Sequence, residues 1–252
     1  MKYTYDNSLT KEQNILCEHL YSMRVARMGD ALAEQFKNPN TDFLTFAERI
    51  TQLVNAEWDV RYNKKFNKFL NKANLKYKTA DFDSTIYDPE RLLDTRMIER
   101  LQELSWVDEK KNLIISGSSG AGKTYLVNAL CVCACRRFYT ARYERANHLI
   151  NEFEKLRNLD PVKYNERMDE LVSYDLLIID DFGLMSLNLD KCRDLFELIE
   201  SRDHYHSTVF ASQLPFKKWY ELFEHQTYAD ACIRRMTTGA YRLEMNGKDM
   251  SE

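Results

Sequence analysis

The chain has 252 residues, a net charge of −3 and 30% charged residues, the balance of an ordinary soluble protein and not of a polycation or a low-complexity polymer. No apolar run reaches the roughly 18–20 residues a membrane span needs, and Met1-Lys2-Tyr3-Thr4 opens no apolar signal-peptide core. A cytoplasmic protein is therefore expected, with no membrane partner. Cys17, Cys131, Cys133, Cys135, Cys192 and Cys232 form no C-x-x-C pair and have no evident His partners, so buried thiols in a reducing compartment are expected.

Thr10-Lys11-Glu12-Gln13 has the form of a capping box and opens a helical stretch with Ile15, Leu16, Leu20, Met23 and Val25 as apolar positions. A second helical run, 28–36, stops before Asn38-Pro39. Thr45-Phe46-Ala47-Glu48 is a second capping box. It opens a long helical pattern through Ile50, Leu53, Val54 and Trp58.

Residues 61–78 carry seven cations and no acid. Without them the rest of the chain sums to −3 − 7 = −10. At about 100° per residue, Arg61, Lys64, Lys65, Lys68, Lys72 and Lys76 share one helical face. Tyr62, Phe66, Phe69, Leu70, Ala73 and Tyr77 share the adjoining face. One stripe packs and the other forms a positive rail for a phosphate backbone. A solvated helix face is the alternative, but such faces usually mix signs into i,i+4 pairs. Asp81, Asp83, Asp88 and Pro89 suggest an extended connector, followed by a helix over 95–104.

Residues 112–116 read as a buried strand. Gly117-Ser118-Ser119-Gly120-Ala121-Gly122-Lys123-Thr124 follows and fits G-x-x-x-x-G-K-[ST] at every fixed position. A helix over 125–138, starting at Tyr125, completes the strand–loop–helix context. Consecutive N–H groups in such a loop point at phosphate oxygens, and the helix N-terminus adds its positive end. Lys123 is expected on the β- and γ-phosphates of ATP, and the Thr124 hydroxyl on Mg²⁺.

The second half alternates. Strands are expected over 140–143, 175–181, 207–212 and 241–245. Helices are expected over 146–156, 162–172, 190–202 and 228–236. Alternation implies a parallel sheet covered on both faces. The strand over 175–181 ends in Asp180-Asp181 and so brings two acids to the carboxyl edge, where ligands bind. Asp180 is expected to hold Mg²⁺, and Asp181 to orient the attacking water. Ser212 or Gln213, closing the next strand, is a candidate sensor of the γ-phosphate. Arg234 or Arg235 is a candidate arginine finger for a neighbouring subunit.

Taken together, the sequence resembles the IstB family of insertion-sequence helper ATPases, related to DnaC helicase loaders and DnaA initiators in the AAA+ class. The resemblance runs from about Leu20 onward. Its marks are Met28-Gly29-Asp30-Ala31-Leu32, Phe46-Ala47-Glu48-Arg49, Ala56-Glu57-Trp58, Tyr87-Asp88-Pro89 and residues 112–124. They continue with residues 175–183, Ser212-Gln213-Leu214-Pro215 and Ala229-Asp230-Ala231. Ser118-Ser119 replaces a common Pro-Thr, and Gly239 stands where Asn is usual.

The resemblance implies an AAA+ P-loop core over 81–252, joined to an all-helical DNA- and partner-binding domain over 1–80. Only 17 residues follow Arg235, so no C-terminal lid domain is expected. The resemblance also implies an ATP-controlled homo-oligomer on double-stranded DNA that engages a transposase. Within it Lys123, Thr124, Asp180 and Asp181 match the ATP motifs, and Arg235 matches the finger. A DnaC-like helicase loader is an alternative with the same engine and another partner. A small-molecule kinase is disfavoured by the paired acids and late arginines. A nucleotide-dependent adaptor that never touches DNA would leave residues 61–78 as solvated surface.

Overall fold

In the computed structural model the described residues are 2–84 and 94–245. Asp88 and Pro89 of the expected connector, and the Tyr87-Asp88-Pro89 mark, lie outside them. Contacts divide the chain into two compact units, Met1–Asn67 and Lys68–Glu252. The division falls inside one helix, ahead of the boundary after residue 80 expected from sequence.

In the first unit, α1 (Lys11–Ser22) starts at the capping box: Thr10 accepts from Gln13 N–H, and the Gln13 side chain accepts from Thr10 N–H. Its buried positions are Asn14 and Cys17, while the apolar Ile15 and Leu16 are exposed. Asn14 is tolerated because all its hydrogen-bonding groups are used. Its Oδ1 accepts from Tyr3 and from Asp6 N–H, and its amide donates to three backbone carbonyls. α2 (Ala26–Lys37) packs on α1 and gives way to a 3₁₀ turn, Pro39–Phe43. The second capping box forms as expected, with the Thr45 hydroxyl and Glu48 carboxylate each capping the other's backbone N–H. It opens the 27-residue α3 (Phe46–Lys72).

The basic run does not stay helical to its end. Asn74 takes a left-handed conformation (φ 55°), a conformation Asn tolerates, and so ends α3 after Lys72. Lys76 therefore leaves the expected rail and lies over the Tyr77 ring instead. Tyr77 also departs from expectation, being exposed. Of the proposed packing stripe, Tyr62, Phe66, Phe69 and Leu70 are half-buried and Ala73 is buried.

Among the described residues the second unit is built on five parallel strands: β1 (Leu113–Gly117), β2 (Ala141–Arg145), β3 (Leu176–Phe182), β4 (Ser207–Ser212) and β5 (Tyr241–Met245). Their order is β2-β3-β4-β1-β5. The first five residues of β3 and all of β4 are buried, as strands covered on both faces require. The helices are α4 (Thr95–Gln102), α5 (Ser105–Asp108), α6 (Lys123–Arg136), α7 (Ala146–Leu159), α8 (Pro161–Ser173), α9 (Leu189–Arg202) and α10 (Gln226–Thr237). Ile114, Leu177, Ile179 and Phe210 cluster with residues of α7 to α10. Since strand side chains alternate, α6 covers the other face, against β1 to β4. Asp160 caps α8 by accepting from Lys163 N–H, with Pro161 at the first helical position. Arg202 is buried and donates to the carbonyls of Leu171, Val172 and Tyr174, satisfying the end of α8. It also donates to Ser207 O and to the Thr208 hydroxyl, tying that end to β4.

This topology brings the carboxyl ends of β1, β3, β4 and β2 to one edge. Gly117, Phe182, Ser212 and Arg145 are their last residues. Among the described residues no helix is long and apolar enough to cross a membrane. All six cysteines are free, five of them buried and Cys133 half-buried.

Candidate functional site

The phosphate loop connects β1 to α6. Gly117 is required by space: a Cβ there would lie 2.2 Å from the Met245 carbonyl oxygen of β5. Gly122 is required by conformation, since it enters α6 at φ 86°. Ser118 and Ser119 are exposed, while Gly117, Gly120, Gly122, Thr124 and Tyr125 are half-buried and Ala121 is buried. The loop thus lies partly exposed at the start of a 14-residue helix.

Lys123 is only 7% exposed. Its ammonium donates to the loop carbonyls of Gly117 (2.9 Å) and Ser118 (2.6 Å). Burial lowers its pKa, and the charges of Asp180 and Asp181 oppose that shift. The two acids thus help keep the lysine charged beside the loop.

Asp180 is 1% exposed and fully engaged. One oxygen accepts from the Thr124 hydroxyl (2.8 Å) and the Tyr143 hydroxyl (2.9 Å). The other accepts from Asp181 N–H (2.9 Å). Burial first, then the Asp180 charge, pushes the Tyr143 phenol well above its usual range, so it stays a proton donor. Thr124 and Asp180 offer hard oxygen atoms side by side at the head of the loop, which fits Mg²⁺ and does not fit a thiol- or imidazole-seeking metal.

Asp181 adopts φ 55° at the bend where β3 loses register with β4. Its carboxylate receives the Arg145 guanidinium from the end of β2, at 2.7 and 3.0 Å. That bond raises the Arg145 pKa further. Arg145 is thus committed to this site. Ser212 is buried, donates to Phe182 O and accepts from Leu214 N–H at 3.0 Å. Its one proton is spent on the bend after Asp181, while the neighbouring Gln213 is half-buried.

Arg235 lies at the other edge of the sheet. The carbonyl oxygens of Arg235 and Met236 accept from the Asn112 amide, and Asn112 precedes the first residue of β1. The phosphate loop follows the last residue of that strand. Five residues at about 3.3 Å each separate the two edges by roughly 16 Å. The Arg235 guanidinium pairs with Glu200 and sits 5.1 Å from the Phe196 ring centroid, both on α9. It lines an open cleft with Arg234, Asp203, His204 and Tyr205.

A family model described as "IstB-like ATP binding protein" matches residues 18–252. The chain belongs to the IstB-like family. It is 34% identical over 233 residues to an insertion sequence ATP-binding protein of Sinorhizobium fredii, spanning 92% of this chain and 94% of that one. An insertion sequence IS1162 ATP-binding protein of Pseudomonas fluorescens is also 34% identical, over 78% of this chain and 84% of that one. Among solved structures, the DnaC helicase loader superposes with a TM-score of 0.55 at 16% identity, over 66% of this chain and 96% of that one. That likeness is one of fold. The expected parallel P-loop sheet therefore stands, and ATP binding comes with the family.

The basic stretch of this IstB-like chain is exposed at Lys64, Lys65, Lys68 and Lys72. Arg61, also exposed, pairs with Glu57 at 2.6 Å and donates to the Arg24 carbonyl. An acid one turn before the run, outside the acid-free window, neutralises its first member. Tyr143, Arg145 and Glu200 gain partners that sequence reasoning did not assign. Tyr143 lay within the expected strand, but nothing in the sequence says that this strand borders β3.

Proposed function

We propose that the chain is an ATP-hydrolysing helper that assembles as a homo-oligomer on duplex DNA and recruits or activates a transposase. The observation that carries this reading is the separation of the two halves of a hydrolytic site. Lys123, Thr124, Asp180 and Asp181 gather at one sheet edge, while Arg235 stands at the other. An arginine so far from its own phosphate loop fits a γ-phosphate held by another copy.

In this reading Lys123 exchanges its bonds with the loop carbonyls for phosphate oxygens. Thr124 and Asp180 would hold Mg²⁺, whose charge would offset that of the phosphates. Asp181 orients water once Arg145 releases it, and Gln213 senses the γ-phosphate. Lys64, Lys65, Lys68 and Lys72 grip DNA phosphates without reading bases, which gives salt-sensitive and largely sequence-independent binding. Relatives named for insertion sequences favour a transposase over a replicative helicase as the partner.

Sizing the protein with and without ATP, and with and without duplex DNA, tests the reading. Growth to an oligomer only when both are present is the expected result. A monomer under all four conditions contradicts it.

A further inference from the structure

The end of the basic helix is bonded to the immediate partners of the residues that would hold the metal. β2 is an edge strand, and its outer side is occupied by the segment that terminates α3. Tyr143 N–H donates to Ala73 O at 2.8 Å, and the Asn74 amide donates to Tyr143 O at 3.3 Å. Next to them, Arg142 donates to the Lys72 carbonyl at 3.1 Å. The Tyr143 side chain then crosses the interior and delivers its hydroxyl to Asp180.

A second connection runs in parallel. Tyr77 N–H donates to the Asn128 side chain at 3.1 Å, and Asn128 donates to Thr124 O at 2.7 Å. Asp180 and Thr124 are thus each one residue away from residues 72–77. A shift of that segment must either break these bonds or carry the two oxygen donors with it. Buried, fully bonded polar groups transmit such shifts because leaving one unpaired carries its full desolvation cost.

We propose that Tyr143 is a positioning residue through which the end of α3 sets the Asp180 carboxylate, so that DNA on α3 tightens binding of metal-bound nucleotide. The proposal rests on reading Asp180 as a metal ligand and α3 as a DNA contact. By the reciprocity of linked equilibria, metal-bound nucleotide tightens DNA binding by the same factor.

The test measures affinity for a fluorescent non-hydrolysable ATP analogue, in Mg²⁺ and in EDTA, each with and without duplex DNA. In the wild type, Mg²⁺ tightens binding and DNA tightens the Mg²⁺ form further. Tyr143→Phe keeps the ring and its packing. It should bind the analogue normally in EDTA, lose about tenfold of the Mg²⁺ gain, as loss of a ligand's outer partner does, and lose the DNA response. Asn74→Gly leaves the hydroxyl in place and suits the left-handed backbone. It should keep the Mg²⁺ gain and weaken the DNA response.

Three results overturn the proposal. A full Mg²⁺ gain in Tyr143→Phe, with that gain lost in Asp180→Asn, removes the tyrosine alone. A full gain in both variants removes Asp180 as the ligand, and the proposal with it. A wild-type DNA response retained by both Tyr143→Phe and Asn74→Gly breaks the link to α3.

Discussion

The carboxyl edge of the sheet and the basic face of α3 handle charge in opposite ways. At the sheet edge, Lys123 and Asp180 are buried, and their charged atoms have partners within the protein. On α3, Lys64, Lys65, Lys68 and Lys72 stand exposed. The first arrangement is fixed by the fold and lies in a low-dielectric setting, where charges act strongly on whatever replaces a partner. The second has high-dielectric surroundings and acts in proportion to the salt and the polyanion present. One region is built to change partners at defined atoms, the other to collect phosphates without selecting bases.

The comparison is sharpest where a single atom pair should matter. Asp181→Asn keeps the size of the side chain and removes the charge that Arg145 holds. ATP binding should persist while turnover falls about 10²–10⁴-fold, the range for losing a positioned base. Steady-state hydrolysis beside a nucleotide-binding titration checks this, and wild-type turnover assigns water orientation to another group.

The exposed region predicts a graded loss instead. If about four phosphates are neutralised, log K should fall against log[salt] with a slope near −3.6, or roughly 150-fold between 50 and 200 mM. Changing Lys64, Lys65, Lys68 and Lys72 together to Gln should flatten that slope and weaken every duplex alike. An unchanged slope puts the DNA contact elsewhere on the surface.

The smallest effect tests the scaffold of α3 and not its charge. Thr45→Ala removes one half of the capping box and should cost about 1 kcal/mol of stability. Denaturant unfolding measures it. The nucleotide site should keep its affinity, because the box lies in the first compact unit.

The two regions were also unequally legible in the sequence. The phosphate loop, the Asp180-Asp181 strand end and the strand limits 207–212 and 241–245 follow from local pattern, and each is found where the pattern puts it. The buried strands are legible because parallel pairing demands continuous apolar runs. The sheet order is not. Placing β2 beside β3 is what carries Tyr143 and Arg145 to the two acids, and that pairing joins residues 35 or more apart. The basic run failed differently. Helical periodicity extended it through Lys76, while one left-handed Asn ended the helix at Lys72. In α1 the apolar pattern does not give the buried face: Asn14, with all its groups bonded, packs inward while Ile15 and Leu16 are exposed.

The central claim is that the hydrolytic site is completed by a second copy, and mixing two inactive variants measures it most directly. Lys123→Ala cannot use its own loop but can lend Arg235. Arg235→Ala keeps its loop and lacks only the guanidinium, a group worth about 10³–10⁵ in rate when supplied by a neighbour. ATP hydrolysis is followed for each variant and for the mixture, on duplex DNA, at concentrations where the wild type assembles and both variants still associate. The account predicts that the mixture recovers part of the activity each variant lacks alone. A mixture no more active than its components contradicts a shared site.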